Sequence, residues 1–93
     1  MRVFVSYSSR DDGLAQNLVE YLEREGKISC FFAPRDIPAR EEWQPRLSSE
    51  VRRCDVLLFL YSPEAVASEH VRFEISEAAG HGRPVWLVKE RNT

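Results

Sequence analysis

The chain has 93 residues, which fits one small domain, and 43% of them are hydrophobic, a fraction too high for a disordered chain. The net charge of -2, with arginines spread along the chain, gives no reason to expect nucleic acid or an acidic membrane as a partner. No apolar stretch approaches the roughly 18 residues of a membrane span and no signal peptide precedes the first apolar run, so we expect a cytoplasmic domain.

Two cysteines and two histidines have spacings that do not suggest a metal site. Cys30 lies in a predicted strand and Cys54 at a predicted helix end, without the CxxC spacing of zinc and redox sites. His70 and His81 lack the i,i+4 spacing of paired histidine ligands. We therefore expect buried free thiols, as is usual in a reducing compartment, and no bound metal.

Four apolar runs predict strands, over residues 3–5, 28–33, 56–60 and 85–88. The third run has no polar alternation, which is typical of a strand covered on both faces. Pro34 closes the second run. A loop over residues 35–42 follows, because no apolar periodicity is present there.

Three amphipathic segments separate the strands. The first is predicted over residues 14–25, because leucine recurs there every four residues, and Gly26 ends it. The second begins at Trp43. The third begins at Ser62, and Ser68 is predicted to cap its longer second part.

The resulting order, β-α-β-α-β-α-β, predicts a doubly wound, flavodoxin-like parallel sheet with helices on both faces. In strand order 2-1-3-4 the switch point lies between the first and third strands. The loop over residues 6–12 and the segment over residues 62–74 then line one crevice at the carboxyl ends of the strands. Ligands bind at this place in open α/β sheets, and the crevice contains one well-placed carboxylate, Glu74.

Common nucleotide-binding uses of this architecture do not fit the sequence. Dinucleotide-binding domains and P-loop enzymes place a glycine-rich turn after the first strand, but here the first glycine is Gly13. A receiver domain needs acidic residues at the ends of the first and third strands, and these strands end in Ser6-Tyr7 and Tyr61-Ser62. What remains is a crevice lined by hydroxyls, aromatic rings, an arginine and one carboxylate.

Three blocks of the sequence resemble a known family. They are VFVSYSSRD (residues 3–11), FFAPRDIPAREEW (31–43) and LYSPEAVASEHVRFEI (60–75). In order and spacing they are similar to the signature blocks of Toll/interleukin-1 receptor (TIR) domains, and most similar to the bacterial branch of that family. The resemblance extends over residues 3–79. It implies one domain over residues 1–93 that belongs to a larger protein.

The resemblance also implies an enzymatic site. Glu74 matches the glutamate that cleaves NAD in the enzymatic members of the family. Tyr7 falls at the family's aromatic position after the first strand, and strand alternation turns only one of Phe31 and Phe32 toward the crevice. The residues expected to bind the substrate NAD+ are Tyr7, Arg10, Asp11, Phe32, Ser68 and His70.

Simpler roles stay open for several of these residues. A glutamate in the first turns of a helix, such as Glu74, is ordinary because it complements the helix dipole. Arg10 fits a phosphate contact or a surface ion pair. Ser68 fits a helix cap, and His70 fits a ring contact with the substrate or a solvated side chain.

The second block implies a mobile loop used for self-association. The residues expected to form it are Arg35, Asp36, Ile37, Pro38, Arg40 and Trp43. The chain departs from the family at Arg40, where many bacterial relatives carry glycine, and at His70, where active relatives often carry tryptophan. The family's fifth strand and its helix have no counterpart after Lys89, so we expect one sheet edge to be left to a partner.

A single glutamate is enough for the implied reaction. In O-glycosidases a second carboxylate protonates the leaving oxygen. The nicotinamide of NAD+ already carries a positive charge and leaves as a neutral ring without a proton. Glu74 then has only to accept hydrogen bonds from the ribose hydroxyls and stabilise the oxocarbenium-like ribose, and no cofactor is required.

Three functions follow as hypotheses. The first is an NAD+ hydrolase, a signalling or defence effector that releases nicotinamide and linear or cyclic ADP-ribose. Its site is completed by the loop of a neighbouring copy, and a sensor domain drives the clustering. The second is a binding module that nucleates homotypic complexes without chemistry. The third is a nucleoside-processing transferase of similar fold that also uses one glutamate on a ribose.

Overall fold

The computed structural model describes residues 1–26, 28–37 and 43–89. The strands are β1 (Arg2–Ser6), β2 (Ser29–Phe31), β3 (Val56–Tyr61) and β4 (Val85–Lys89). The helices are α1 (Asp12–Glu25), α2 (Ala33–Asp36), α3 (Trp43–Arg53), α4 (Pro63–Ala67) and α5 (Glu69–Gly80), and a single 3-10 turn (Ser9–Asp11) precedes α1.

The strands form one parallel sheet in the order β2-β1-β3-β4. In the register of the central strand, Val3 lies between Cys30 on β2 and Val56 on β3. The predicted doubly wound topology and its strand order are therefore confirmed. The carboxyl ends of β1 and β3 are neighbours, as the switch point requires.

Alternation along β1 sends its side chains into two buried cores. Val3 and Val5 pack with Ala15 and Val19 of α1, whereas Phe4 packs with residues of α3, α4 and α5 on the opposite face. Full burial of an apolar side chain of this size stabilises the fold by about 1.5–3 kcal/mol. Helices thus cover both faces of the sheet, with α1 on one side and the others opposite.

The second strand is shorter than predicted. It ends at Phe31, and residues 33–36, expected as strand and loop, form the short helix α2. The carboxylate of Asp36 accepts the backbone N–H of Phe32 at 2.8 Å, and Pro34 stands in the first turn, where its missing N–H costs nothing. A local side-chain contact therefore ends the strand before the apolar run does.

The two starts predicted within the third helical segment, at Ser62 and at Ser68, are confirmed. Ser62 caps α4 by accepting the N–H of Ala65, and Ser68 caps α5 by accepting the N–H of Val71. Helix α5 ends at Gly80, and Gly82 follows with φ of 70°, in the left-handed region that favours glycine. Two serine caps thus fix the starts of α4 and α5, the helices that follow the carboxyl end of β3.

The two cysteines are buried and free, as predicted. Cys30 lies on β2 and Cys54 follows α3. Burial raises the pKa of the Cys30 thiol to about 11 and also raises that of Cys54. Neither thiol is therefore poised to react as a thiolate.

The strand β4 forms an open edge of the sheet. Trp86 is 52% exposed and Leu87 is 60% exposed, although their register partners Leu58 and Phe59 are buried. Because successive residues point to opposite faces, apolar side chains reach solvent on both sides of β4. That a partner covers this edge stays a prediction. In the described part of the chain, no helix has the length and apolar character needed to cross a membrane.

Candidate functional site

Glu74 lies on the buried side of α5, between Val71 and Ala78 in the helix's inward stripe. Glu74 is 3% exposed, and its Oε1 accepts a hydrogen bond of 2.7 Å from the hydroxyl of Ser6, the last residue of β1. A carboxylate at such a position is costly unless it is hydrogen-bonded. The side chain therefore points inward, at the carboxyl end of the central strand, where the sequence placed the crevice.

The second oxygen of Glu74 faces His70. The Nε2 atom of His70, one turn earlier on α5, lies 3.0 Å from Oε2, and half of the imidazole is exposed. The hydrogen bond to Glu74 raises the pKa of His70 above its usual value, against the opposing effect of partial burial. His70 is therefore solvated in part and held against Glu74 in part.

Ser6 was not among the predicted site residues. Its side chain is fully buried and its hydroxyl is a partner of Glu74. The sequence did contain a signal for it, because alternation along β1 places Ser6 on the same face as Phe4, and so on the face that α5 covers. Ser6 is therefore a hydroxyl-bearing residue that ends a strand after three buried apolar positions, beside α5.

Tyr7 and Phe32 meet on the other face of the sheet. Their rings stack with centroids 5.5 Å apart, and the Tyr7 hydroxyl donates to Asp12 at 3.0 Å. Burial, the hydrogen bond to Asp12 and the charges of Asp12 and Glu74 all raise the pKa of Tyr7. Both rings border the core under α1, so Phe32, and not Phe31, is the phenylalanine that adjoins Tyr7.

Asp11 joins the two segments predicted to line the crevice. Its carboxylate accepts a 2.7 Å hydrogen bond from the hydroxyl of Ser62, which also caps α4. Arg10 is exposed, and within the described residues its side chain forms no ion pair. Ser68 has the capping role that the sequence left open. Its hydroxyl and that of Ser62 are therefore occupied by the fold.

The first residues of the predicted self-association loop are bound to the protein's own surface. Arg35 pairs with both oxygens of Glu23 on α1 at 2.8 and 2.9 Å, and with Asp36. Ile37 is only 4% exposed and packs in the core. Trp43 is the first residue of α3. Pro38 and Arg40 lie outside the described residues, so the loop's role stays a prediction.

A cavity of about 350 Å³ lies away from Glu74. It is bordered by Cys30, Arg35, Glu50 and Cys54, among others. Its charged groups already neutralise one another, since Arg35 pairs with Glu23 and the buried Glu50 pairs with Arg2 and Arg46. None of the residues predicted to bind substrate lines this cavity.

The two oxygens of the Glu74 carboxylate have different partners. Oε1, which faces Ser6, is bonded to a fully buried hydroxyl, whereas Oε2, which faces His70, meets a half-exposed imidazole ring. A carboxylate oxygen accepts hydrogen bonds from hydroxyl groups and stabilises positive charge nearby. If the imidazole moves, a polyol such as a ribose has an acceptor at this edge of the sheet.

The comparisons with known proteins agree with the fold. A sequence model of the TIR domain family matches residues 3–92. The structure is similar to the TIR domain of the Toll-related receptor TRR-2 from the lower metazoan Hydra magnipapillata, with a TM-score of 0.77 at 19% sequence identity. The match covers 94% of this chain and 66% of the Hydra chain. At this identity the likeness shows the fold alone. A comparison with curated proteins finds no match.

Proposed function

Because the chain belongs to the TIR domain family, we propose that it is an NAD+ hydrolase whose catalytic carboxylate is Glu74. The observation that carries the proposal is the burial of Glu74 at the carboxyl end of β1, with one oxygen anchored by Ser6. Glu74 is thus a buried carboxylate at the switch point of the sheet, and open α/β proteins bind their ligands at the switch point. It is also where a fixed negative charge is most effective.

The reaction breaks the bond between nicotinamide and ribose. Both electrons of that bond leave with the ring nitrogen, so nicotinamide departs neutral and the ribose carries the developing positive charge. Glu74 Oε2 accepts hydrogen bonds from the ribose hydroxyls and stabilises that charge. Water then adds to the ribose and loses a proton to give ADP-ribose, or an adenine nitrogen adds to give the cyclic product.

Substrate contacts are assigned to residues around this carboxylate. The partly buried Tyr7 ring, backed by the buried Phe32 ring, is the aromatic surface that we assign to a substrate ring. Arg10 is exposed and able to meet a phosphate. Asp11 and Ser68 contribute by holding the two segments that flank Glu74. The protein acts in the cytoplasm on NAD+ without a cofactor, as a signalling or defence effector.

Activity depends on assembly. We assign the loop over residues 35–43, apart from the buried Ile37, to contacts between copies. We assign a sensor domain of the same or a partner protein to the trigger that gathers them. The exposed apolar residues of β4 leave a further surface for association.

A scaffold function is the second candidate. The similar Hydra protein is named as a receptor, and the second oxygen of Glu74 is already occupied by His70. A domain of this kind gathers copies of itself into a complex and performs no chemistry. Its surface contacts matter and its carboxylate does not.

Nicotinamide release from NAD+, measured over a wide range of protein concentration, separates these functions. We expect the rate per molecule to rise steeply with concentration and to fall about 100-fold or more in Glu74→Gln. The matched control is Glu77→Gln on the same helix. Glu77 also pairs with a histidine four residues away but lies away from the end of β1, so this variant retains the wild-type rate.

Other results identify the competing functions. Equal inactivity of the wild type and Glu74→Gln while both self-associate identifies the scaffold. Turnover of nucleosides in place of NAD+ identifies a transferase. Equal loss of rate in Glu74→Gln and Glu77→Gln contradicts a specific role for Glu74.

A further inference from the structure

Both oxygens of Glu74 are occupied, but by partners of different kinds. The Ser6 hydroxyl is fully buried and bonds Oε1 at 2.7 Å. The His70 imidazole is half-exposed and meets Oε2 at 3.0 Å. Glu74 is thus buried, and its partner on the Oε2 side is a half-exposed imidazole.

We infer that Ser6 is a fixed positioning residue for the Glu74 carboxylate, and that His70 is a displaceable cover which the ribose hydroxyls of the substrate must replace. The inference rests on the proposed function, because it states how the substrate of that reaction reaches the Glu74 carboxylate. His70 is four residues before Glu74 on the same helix, so a rotation of its side chain frees Oε2 without any change of backbone. Ser6 has no such freedom in the packed interior.

Charge on the imidazole sets how firmly the cover is held. Glu74 is the one charged group acting on His70 within the described residues. Toward β1, Tyr7 keeps its proton because its pKa is raised. Toward α3, Glu77 accepts a hydrogen bond from Ser48, and His81 lies 3.7 Å from its other oxygen. The state of the cover therefore follows the protonation of His70.

The direction of the pH effect follows from this bond. A protonated His70 forms an ion pair with Glu74, whose contribution is fully present below the usual histidine pKa of 6.5. It is lost as pH rises through the raised pKa of His70. The cover is thus held shut at low pH and released above that pKa, so the rate of NAD+ cleavage rises with pH.

The test is the pH dependence of nicotinamide release in the wild type, His70→Gln and the control His81→Gln. Glutamine keeps the polar contact but does not titrate in this range. For the wild type and His81→Gln we expect the rate to fall roughly tenfold per pH unit below the pKa of His70. For His70→Gln we expect the acid limb to flatten, with less than about a twofold change over the same range.

An NMR titration of both histidines gives a readout that does not depend on turnover. In Glu74→Gln the His70 pKa is expected to fall toward its usual value, with His81 unchanged as the internal control. An unchanged His70 pKa in this variant overturns the inference by itself. So does a His70→Gln variant that keeps the wild-type pH profile, or one that loses activity equally at every pH, since His70 then acts on the substrate directly.

Failure of the proposed function gives a different result. In that case the wild type releases no nicotinamide at any pH or protein concentration. The inference that His70 is a displaceable cover is then overturned together with the proposed function. The loss of the acid limb in His70→Gln, together with an active wild type, supports both.

Discussion

Two glutamates of α5 each lie near a serine and a histidine. The inner set is Ser6, Glu74 and His70, and the outer set is Ser48, Glu77 and His81. In each set a glutamate of α5 accepts a hydrogen bond from a serine of another element, and a histidine lies one helical turn away. On residue types and helical spacing alone the two sets are equivalent.

Burial and position separate the two sets. The side chain of Glu74 is 4% exposed and that of Glu77 is 28% exposed. The histidine nitrogen lies 3.0 Å from the carboxylate in the inner set but 3.7 Å in the outer set, which is beyond hydrogen-bond distance. Only the inner set meets the carboxyl end of β1. The place of a carboxylate against the sheet, more than its neighbours in sequence, therefore marks a candidate site.

Removing the serine of each set is expected to have the largest effect on stability. Ser6→Ala leaves a buried carboxylate oxygen without its donor, which costs about 1–3 kcal/mol of unfolding free energy. In Ser48→Ala, water can replace the lost hydrogen bond to the partly exposed Glu77, so the loss of unfolding free energy is about 0.5–1 kcal/mol. Urea denaturation of the two variants measures both losses. Equal losses would mean that the inner set is no more buried in solution than the outer one.

A smaller effect on stability is expected from Glu23 and Asp36, whose carboxylates pair with the permanently charged Arg35. The Arg35 hydrogen bond lowers the pKa of Glu23. Burial raises the pKa of Asp36, but the bonds from Arg35 and the Phe32 N–H outweigh it, so the net pKa is lowered. Stability from these groups is present above their usual pKa values of 4.5 and 3.8, and it is lost as pH falls through the lowered values.

Replacing Arg35 by methionine tests this smaller term. Because Arg35 is 44% exposed, water screens its pairs, and we expect a loss of about 0.5–1 kcal/mol near neutral pH. The variant should lose less stability than the wild type when unfolding is compared at about pH 6 and about pH 3. A variant with the same acid sensitivity as the wild type would show that Glu23 and Asp36 gain nothing from Arg35.

Much of the fold was predictable because it depends on local chemistry. The apolar runs gave the strands and their parallel order, and Ser62 and Ser68 marked helix starts through their capping hydroxyls. The end of β2 was not predictable from the run alone. It depends on Asp36 folding back onto the Phe32 N–H, a contact that competes with strand hydrogen bonds.

The candidate site was predicted in part. The place of Glu74 beside the crevice follows from the switch-point rule, and the family resemblance singled it out. The role of Ser6 depends on packing of α5 against β1, which brings together residues 68 positions apart. The contact of His70 with Glu74 needs no such packing, because the two residues lie one turn apart on α5. Strand alternation also explains why Tyr7 and Ser6, adjacent in sequence, lie on opposite faces of the sheet.

The most direct test of the account is a structure of the assembled domain with an NAD+ analogue whose ribosyl bond cannot be cleaved. We expect the ribose hydroxyl oxygens to lie about 2.5–3.0 Å from Glu74 Oε2, with His70 rotated away and Ser6 still bonded to Oε1. An analogue bound elsewhere, with the Ser6, Glu74 and His70 contacts unchanged, would contradict the account.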